Sequence, residues 1–210
     1  MKKWEKRIIG DSQDYDLLKY AASRIKDVDG LVVEIGTRLG GGIKSIMETC
    51  LSNDDRRYFI GVDPYGDIMY THGEKCYNAK SQQERCDYND NMMASFLSEI
   101  YSYCYHNELY YQHFILEDTE FMERFKDGIV IYNQEKYLIN EYALVHIDGP
   151  HNLESVIKET EFFMPRISKG GFIVYDDVLD YDHDTVDVML IQNGFGADRR
   201  GNRKIVYRKG

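Results

Sequence analysis

Residues 33–42 read Val-Glu-Ile-Gly-Thr-Arg-Leu-Gly-Gly-Gly, and this stretch decides the fold. The run Leu31–Ile35 is apolar and β-branched, which is typical of a buried strand, and the segment 43–52 has helical spacing. A glycine-rich turn between a strand and a helix permits positive φ and leaves the first N–H groups of the helix available to a ligand. The stretch therefore predicts a βα unit whose loop binds a ligand.

Outside this loop, short apolar runs alternate with helical segments through most of the chain. Runs of this kind are apolar on both faces, as expected for parallel strands that helices cover on both sides. The pattern predicts an α/β fold of the Rossmann-like, doubly wound class, with a mostly parallel, seven-stranded sheet. The strands are expected at Leu31–Ile35, Tyr58–Asp63, Gln112–Leu116, Tyr142–Asp148 and Gly171–Asp176, and the helices at about 43–52, 91–106, 119–126, 152–164 and 184–193.

The two ends of the chain add further elements. Apolar residues recur at helical spacing over Asp14–Ile25, which predicts a leading helix. Phe195–Arg199 and Lys204–Arg208 flank the turn residues Gly201-Asn202 and are expected to form an antiparallel hairpin that closes the sheet. The length of 210 residues fits a single domain over 1–210.

Two segments do not fit the simple alternation of strands and helices. Residues 64–90 form a long polar insertion with several tyrosines, among them Tyr65, Tyr70 and Tyr77. Loops of this length inside a compact domain are usually functional, so we expect the insertion to act as a lid. A shorter excursion at 127–140 is expected to form a small extra element.

The formal charge of the chain is -10, but it is unevenly distributed. Residues 1–7 and 198–210 hold ten basic and two acidic side chains, so residues 8–197 carry 16 basic and 34 acidic side chains, a balance of -18. An acidic body repels phosphate backbones, which argues against DNA as a partner. The sequence has no long apolar run and no signal peptide at its start, so we expect a cytoplasmic protein that does not bind a membrane.

Three chemistries compete for the glycine-rich loop. A dinucleotide fingerprint requires glycine where Arg38 stands, and a phosphate-binding loop requires glycine where Ile43 precedes Lys44-Ser45. The remaining pattern, an acidic residue and then Gly-x-x-x-Gly-Gly, resembles the first motif of class I S-adenosylmethionine-dependent methyltransferases. The form Val-Glu-Ile-Gly-Thr-x-x-Gly-Gly is similar to that of small O-methyltransferases, including the macrolide-sugar and cephalosporin-hydroxylase-like groups. The alternative is an ordinary tight turn between strand and helix.

This resemblance implies S-adenosylmethionine as cofactor. An acidic side chain at the tip of the neighbouring strand can accept both ribose hydroxyls, so Asp63 is the expected ribose ligand unless it only forms the turn before Pro64. The matching segment after the third strand places Asp118 at the adenine, although an N-cap would explain the same residue. The expected cofactor-binding residues are Glu34, Gly36, Thr37, Gly40, Gly41, Asp63 and Asp118.

Two strand ends carry a second group of acidic residues. Asp148 lies in His-Ile-Asp-Gly-Pro-His, and Asp176 and Asp177 end the run Gly-Gly-Phe-Ile-Val-Tyr-Asp-Asp. If the two strands are neighbours, these carboxylates converge at the carboxyl edge of the sheet, where like charges need a compensating cation. Oxygen ligands favour Mg²⁺, with Mn²⁺ or Ca²⁺ as alternatives. In the O-methyltransferases that this sequence resembles, acidic residues at the matching positions bind metal. The alternative is that these residues are solvated strand-end carboxylates and helix caps.

These residues suggest transfer of a methyl group to a hydroxyl of a small molecule, such as a sugar or another natural product, with Mg²⁺ assistance. The expected catalytic residues are His151 and Asp148. His151, three residues beyond Asp148, is expected to take the proton, unless it only caps the following helix. Two alternatives stay open: an RNA or protein methyltransferase that docks through the basic ends, and an inactive nucleoside-binding or assembly protein. Association into a homo-oligomer also stays open.

Overall fold

A computed structural model describes residues 12–65, 69–72, 75–78 and 90–210, and its centre is a seven-stranded sheet. The strand order is β10-β11-β9-β8-β1-β2-β5. The five strands from β9 to β5 pair in parallel, whereas β11 pairs antiparallel with both β9 and β10. The order reverses beside β1, and in doubly wound sheets ligands bind at such a reversal, outside the carboxyl ends of the strands.

The strands are β1 Leu31–Ile35, β2 Tyr58–Val62, β3 Met69–His72, β4 Lys75–Asn78, β5 Tyr110–Phe114, β6 Ile129–Asn133, β7 Glu135–Ile139, β8 Tyr142–Ile147, β9 Ile167–Tyr175, β10 Phe195–Arg200 and β11 Ile205–Lys209. The helices are α1 Tyr15–Ala22, α2 Gly41–Ser52, α3 Asp90–Asn107, α4 Asp118–Arg124, α5 Leu153–Phe163 and α6 His183–Gln192. In the part of the chain that the structure describes, no helix is long and apolar enough to cross a bilayer.

Helices cover both faces of the sheet, and each face has its own apolar cluster. The β1 and β8 strands are buried along their whole length, so alternate side chains fill both clusters. Val32 belongs to the cluster with the helices α1, α2 and α3, and its neighbour Val33 belongs to the cluster on the other face, with α4, α5 and α6. This three-layer packing holds the carboxyl ends of β1, β2, β8 and β9 in fixed positions at one edge.

The predicted fold class is confirmed, including the antiparallel strands at the carboxyl end of the chain. Two boundaries differ from the prediction by more than a residue or two. The last parallel strand begins at Ile167 and not at Gly171, because its first residues already pair with Tyr142 of β8. The leading helix ends at Ala22, although Ile25 beyond it is fully buried and contributes to the same apolar cluster.

The two extra segments form hairpins. In the 64–90 insertion, the strands β3 and β4 pair antiparallel, while most of the remaining insertion, and with it the predicted lid role, lies outside the described residues. In the 127–140 excursion, β6 and β7 pair antiparallel in a second two-stranded sheet, which confirms the small extra element.

The buried His183 makes the stability of the fold depend on pH. Its ring lies between Tyr207, whose hydroxyl is 2.8 Å from Nε2, and Tyr181, whose hydroxyl is 3.2 Å from Nδ1. Burial lowers the pKa of His183 to about 4 from an ordinary value of 6.5. Between these values the unfolded chain takes up a proton that the folded His183 does not, so stability is complete above pH 6.5 and falls as the pH drops towards 4.

We therefore expect His183→Gln to flatten the pH dependence of unfolding. At about 1.4 kcal/mol per pKa unit, the wild type should lose roughly 1–3 kcal/mol more than the variant between pH 7 and pH 4.5. Urea unfolding followed by circular dichroism at the two pH values measures this difference. The exposed His106→Gln should behave as the wild type, and equal losses in all three proteins would contradict the assignment.

Candidate functional site

The site begins with Glu34, which is 1% exposed near the end of β1. Its Oε2 accepts a 2.9 Å hydrogen bond from the N–H of Ile43 in the first turn of α2. Its Oε1 lies 2.8 Å from Nδ1 of His146 in β8, and burial lowers the pKa of His146 well below its ordinary value, so the neutral ring donates its Nδ1–H. The predicted cofactor ligand Glu34 thus holds the loop, the helix and the neighbouring strand together.

Two glycines of the loop make close approach of other parts of the chain possible. At Gly36, with φ +82°, an added Cβ would lie 1.9 Å from the backbone oxygen of Asp148. At Gly40, with φ +80°, it would lie 2.1 Å from the ring of Phe96. Gly41, also buried, begins α2. Only glycine fits the first two positions, because φ is positive and the space is taken.

Asp63 follows β2 beside the loop, where the sequence predicts it, and is 1% exposed. Its Oδ2 accepts a 2.8 Å hydrogen bond from the N–H of Arg38, and its Oδ1 accepts a 3.0 Å bond from the N–H of Tyr65. The Tyr65 hydroxyl in turn donates to the carbonyl of Arg38 at 2.5 Å and lies 3.3 Å from the hydroxyl of Thr37. Asp63, the predicted ribose ligand, and Thr37, a predicted cofactor-binding residue, therefore lie together at the loop.

Asp118 begins α4 and is 9% exposed, and its Oδ2 is a buried oxygen without a hydrogen-bond partner among the described residues. Burial raises the pKa of Asp118. The preceding residue, Glu117, is the N-cap, but its side chain makes no capping hydrogen bond. Asp118 is thus not the N-cap that the alternative reading expected.

Glu159 of α5 is a second buried acid, fully buried with no hydrogen-bond partner in the described structure for either carboxylate oxygen. Burial, and then the charge of Asp118, raise the pKa of Glu159 well above its ordinary value. A Cβ added at Gly149 would lie 3.1 Å from its Oε1, so glycine leaves room for it. The sequence analysis missed Glu159, since a glutamate in an amphipathic helix gives no signal that it points inward.

The acidic corner comprises Asp148, Asp176, Asp177 and Asp180, which follow β8 and β9. His151 lies between two of these carboxylates: its Nε2 is 3.4 Å from Oδ1 of Asp148, and its Nδ1 is 2.9 Å from Oδ2 of Asp177. Burial lowers the pKa of His151, but its hydrogen bonds with the two carboxylates outweigh burial and raise it to about 10. His151 is therefore an imidazolium at neutral pH.

Of the two predicted catalytic residues, Asp148 is the more accessible: 22% of its side chain is exposed, against 10% for His151. Burial, and then the charge of Asp176, raise the pKa of Asp148 to about 7, although His151 and Lys204 act in the other direction. A carboxyl group with this pKa can exchange a proton near neutral pH.

Two basic residues of the turn between β10 and β11 enter the same corner. Arg203 pairs through Nε with Oδ1 of Asp177, and its Nη2 donates to Oδ2 of Asp180 at 2.7 Å. Lys204 is 0% exposed and pairs with Oδ2 of Asp176. The sequence analysis noted the basic residues of this segment but assigned none of them to the site.

Among the described residues, two groups have side-chain atoms close enough to share a metal ion. In the first group, one ligand atom each of His146, Asp148 and Asp176 lies within 4.8 Å of the others; in the second, the same holds for His151, Asp177 and Asp180. The predicted set of Asp148, Asp176 and Asp177 is thus divided between two groups, because Asp177 turns towards His151 and Arg203.

We expect Gly42→Ala to lower the free energy of unfolding by disturbing the buried contacts of Glu34. The added Cβ would lie 1.9 Å from Oε1 of Glu34 and 3.2 Å from Nδ1 of His146, so the buried hydrogen bonds of Glu34 must break or shift. The cost should be about 2–4 kcal/mol of unfolding free energy, from overpacking together with lost buried hydrogen bonds. Chemical denaturation measures it. Gly196→Ala is the matched control, because nothing lies within 4 Å of its added Cβ, and equal midpoints for the two variants would refute the expectation.

Comparison with known proteins identifies the family. The sequence profile of a family described as "Methyltransferase domain" matches residues 33–178, which include the glycine-rich loop and the acidic corner as far as Val178. A relative, "Uncharacterized protein R132" of Acanthamoeba polyphaga mimivirus, is 26% identical over 197 residues, covering 92% of this chain and 72% of the relative.

Solved structures share the fold. The O-methyltransferase NovP superposes with a TM-score of 0.61 at 17% identity, covering 93% of this chain and 78% of that chain. The calicheamicin methyltransferase CalS11 superposes with a TM-score of 0.59 at 14% identity, covering 94% of this chain and 79% of that chain. With the profile match over more than half of its length, the chain belongs to the methyltransferase domain family, and its fold is that of the class I S-adenosylmethionine-dependent methyltransferases.

Proposed function

We propose that this methyltransferase transfers a methyl group from S-adenosylmethionine to a hydroxyl oxygen of a small molecule. The observation that carries the proposal is the contact between the glycine-rich loop and the acidic corner. The Asp148 N–H donates to the carbonyl of Ile35 at 2.9 Å, and the backbone oxygen of Asp148 lies where a side chain of Gly36 would be. A cofactor at the loop and an acceptor at Asp148 would therefore be neighbours, as methyl transfer requires.

The residues around the loop fit the cofactor. The buried Oδ2 of Asp118 lacks a hydrogen-bond partner in the described structure, and an exocyclic amino group of adenine would supply one. The oxygens of Asp63 accept the N–H groups of Arg38 and Tyr65, which fixes its carboxylate beside the loop at the tip of β2, where an acidic side chain can accept ribose hydroxyls. Glu34 acts by holding the loop, because both of its oxygens bind within the protein. When bound, S-adenosylmethionine supplies an electrophilic methyl group on its sulfonium.

Asp148 accepts the proton of the acceptor hydroxyl, and His151 positions it. Both ring nitrogens of His151 face carboxylates, so the imidazolium holds Asp148 on one side and Asp177 on the other. Asp148 is partly exposed, and its pKa of about 7 is matched to proton transfer at neutral pH. This assignment refines the prediction that His151 itself takes the proton.

A small acceptor is favoured over RNA by the contacts of the basic segment 198–210. All six of its basic side chains have partners within the chain: Arg199 lies over the ring of Tyr20, Arg200 pairs with Asp187, Arg203 and Lys204 enter the acidic corner, Arg208 lies over Phe172, and Lys209 binds the carbonyl of Ile167. A docking arm for RNA would present such side chains to phosphates, whereas Arg203 and Lys204 are engaged by the carboxylates of the acidic corner. NovP is an O-methyltransferase and CalS11 is a calicheamicin methyltransferase, and these neighbours support the choice of oxygen and of a natural-product acceptor.

The Mg²⁺ ion stays a prediction, supported by the ligand atoms of His146, Asp148 and Asp176 within 4.8 Å of one another. The charges around these atoms argue against it, because Asp176 already pairs with Lys204 and Asp177 with Arg203. The donor set therefore does not fit a divalent ion as well as the sequence suggests, and no step of the proposed reaction depends on one.

Calorimetric titration with S-adenosylhomocysteine tests the cofactor, and transfer of a labelled methyl group to a panel of sugars, phenols and macrolides tests the acceptor. We expect Asp63→Asn to weaken S-adenosylhomocysteine binding about tenfold or more, a loss of about 1.4 kcal/mol. We expect Asp148→Asn to reduce kcat by about 100-fold or more through loss of the base, with cofactor affinity changed less than about threefold.

Asp54→Asn is the control for both substitutions, since its carboxylate is 87% exposed and lies beyond the carboxyl end of α2, whereas the loop lies at the amino end of that helix. Absence of S-adenosylhomocysteine binding would contradict the proposal and support the inactive alternative. Methylation of total RNA, with steep salt dependence and no transfer to the small acceptors, would instead support the RNA methyltransferase.

A further inference from the structure

The acidic corner contains built-in cations, and Lys204 is the most deeply placed of them. Its side chain is 0% exposed, its Nζ pairs with Oδ2 of Asp176, and it also lies 2.9 Å from Oγ of Ser12. A buried ammonium group is stable only when it is paired and hydrogen-bonded. Lys204 is thus a fixed part of the corner and not a surface side chain that happens to reach it.

Both oxygens of Asp176 already have partners within the chain. Its Oδ1 accepts a 2.7 Å hydrogen bond from the N–H of Asp177. Its Oδ2 accepts a 2.5 Å hydrogen bond from the hydroxyl of Ser12 and receives the Lys204 ammonium. A carboxylate has about four lone-pair positions, and three of them are used here, two of these on the oxygen that Lys204 approaches.

Both oxygens of Asp177 also have partners, and both partners are basic side chains. Its φ of +49° lies in the left-handed region, which directs Oδ1 to Nε of Arg203 and Oδ2 to Nδ1 of His151. Ligation of a metal by Asp177 would therefore require that its carboxylate leave a guanidinium or an imidazolium. Each of these is a charge-assisted contact, which is stronger than a neutral hydrogen bond.

The backbone keeps the two basic side chains in place. The Arg203 N–H donates to Oδ2 of Asp14 at 2.8 Å, and the Arg203 carbonyl accepts from the N–H of Val178 at 3.1 Å. The Lys204 carbonyl accepts from the N–H of Gly201 at 2.8 Å, which closes the turn. The turn is thereby tied both to the start of α1 and to the segment that carries Asp176.

The charges of the corner nearly balance without a metal ion. Among the residues that the structure describes, four carboxylates, Asp148, Asp176, Asp177 and Asp180, face three cations, His151, Arg203 and Lys204. Adding a divalent ion would turn a net charge of -1 into +1 in a largely buried region, and charge that is neither solvated nor paired is costly there. The electrostatic need that predicted a metal is therefore met by the chain.

We propose that the Lys204 ammonium, supported by Arg203, takes the place of a divalent cation in the acidic corner, so that this methyltransferase binds no metal there and works without one. The statement about metal binding stands on the contacts of Asp176 and Asp177, and the statement about turnover rests also on the proposed function. Lys204 holds Asp176 through the charge that an ion would supply, and it leaves Asp148 as the carboxylate that faces the acceptor.

The test compares the wild type with Lys204→Gln, which removes the charge and keeps a hydrogen-bond donor for Asp176 and Ser12. Mn²⁺ binding is followed by electron paramagnetic resonance and Mg²⁺ binding by calorimetry. We expect the wild type to bind either ion with a Kd no tighter than about 10 mM, and Lys204→Gln to bind at least about tenfold more tightly. Lys204→Arg, which keeps the charge, and the exposed Lys158→Gln should behave as the wild type.

Sub-millimolar binding of Mn²⁺ to the wild type that Asp176→Asn abolishes would overturn the proposal. So would equal affinities in the wild type and in a folded Lys204→Gln. If Lys204→Gln does not fold, the wild-type measurement decides alone. Methyl transfer by the wild type should be unchanged in EDTA, and a loss restored by Mg²⁺ would also overturn the proposal. Failure of all methyl transfer would contradict the proposed function and leave the metal-binding result valid.

Discussion

The buried carboxylate of Glu34 is the contact on which the site depends. It joins β1 to the first turn of α2 through Ile43 and to β8 through His146. Since it is 1% exposed, removal of either partner would leave a buried polar group unsatisfied, at a cost of roughly 1–3 kcal/mol. The glycine at 42 exists to make room for this carboxylate, so the composition of the loop reflects a packing requirement as well as a ligand.

The contact between Glu34 and His146 also links the glycine-rich loop to the acidic corner. His146, held by Glu34, lies in β8, the strand that Asp148 follows, and Asp148 in turn packs its backbone against Gly36 of the loop. The glycine-rich loop, where we propose the cofactor, and Asp148, where we propose the acceptor, are therefore parts of one continuous structure with few degrees of freedom. Such preorganisation supplies much of the rate of a transfer reaction, because the reacting groups need not be brought together anew in each turnover.

The sequence predicted what depends on local pattern and failed where the outcome depends on distant partners. Apolar runs and the glycine spacing around Gly36 predicted the sheet, the loop and the strand-end acids, because period and turn chemistry are local properties. Lys204 and Glu159 gave no such signal: the first reads as part of a basic tail and the second as the polar face of a helix, yet both are fully buried. Burial of a charged side chain is set by tertiary packing, which one sequence does not reveal.

The acidic corner shows this difference most clearly. Three carboxylates at neighbouring strand ends require a compensating positive charge. Whether that charge comes from an ion or from the chain is decided by a turn more than 25 residues further on. Only the three-dimensional structure places Arg203 and Lys204 beside Asp177 and Asp176.

The contacts that complete the acidic corner also order its assembly. Ser12 binds Asp176 across a separation of 164 residues, Arg203 binds Asp14 across 189, and Lys204 binds Ser12 across 192. Closing loops of this length is entropically expensive, so such contacts form after the local ones. Lys204 also follows Asp176 in the chain, so during synthesis the carboxylate leaves the ribosome before the lysine that pairs with it. The buried ion pair can form only after the turn at 201–204 has emerged, and the acidic corner cannot close before then.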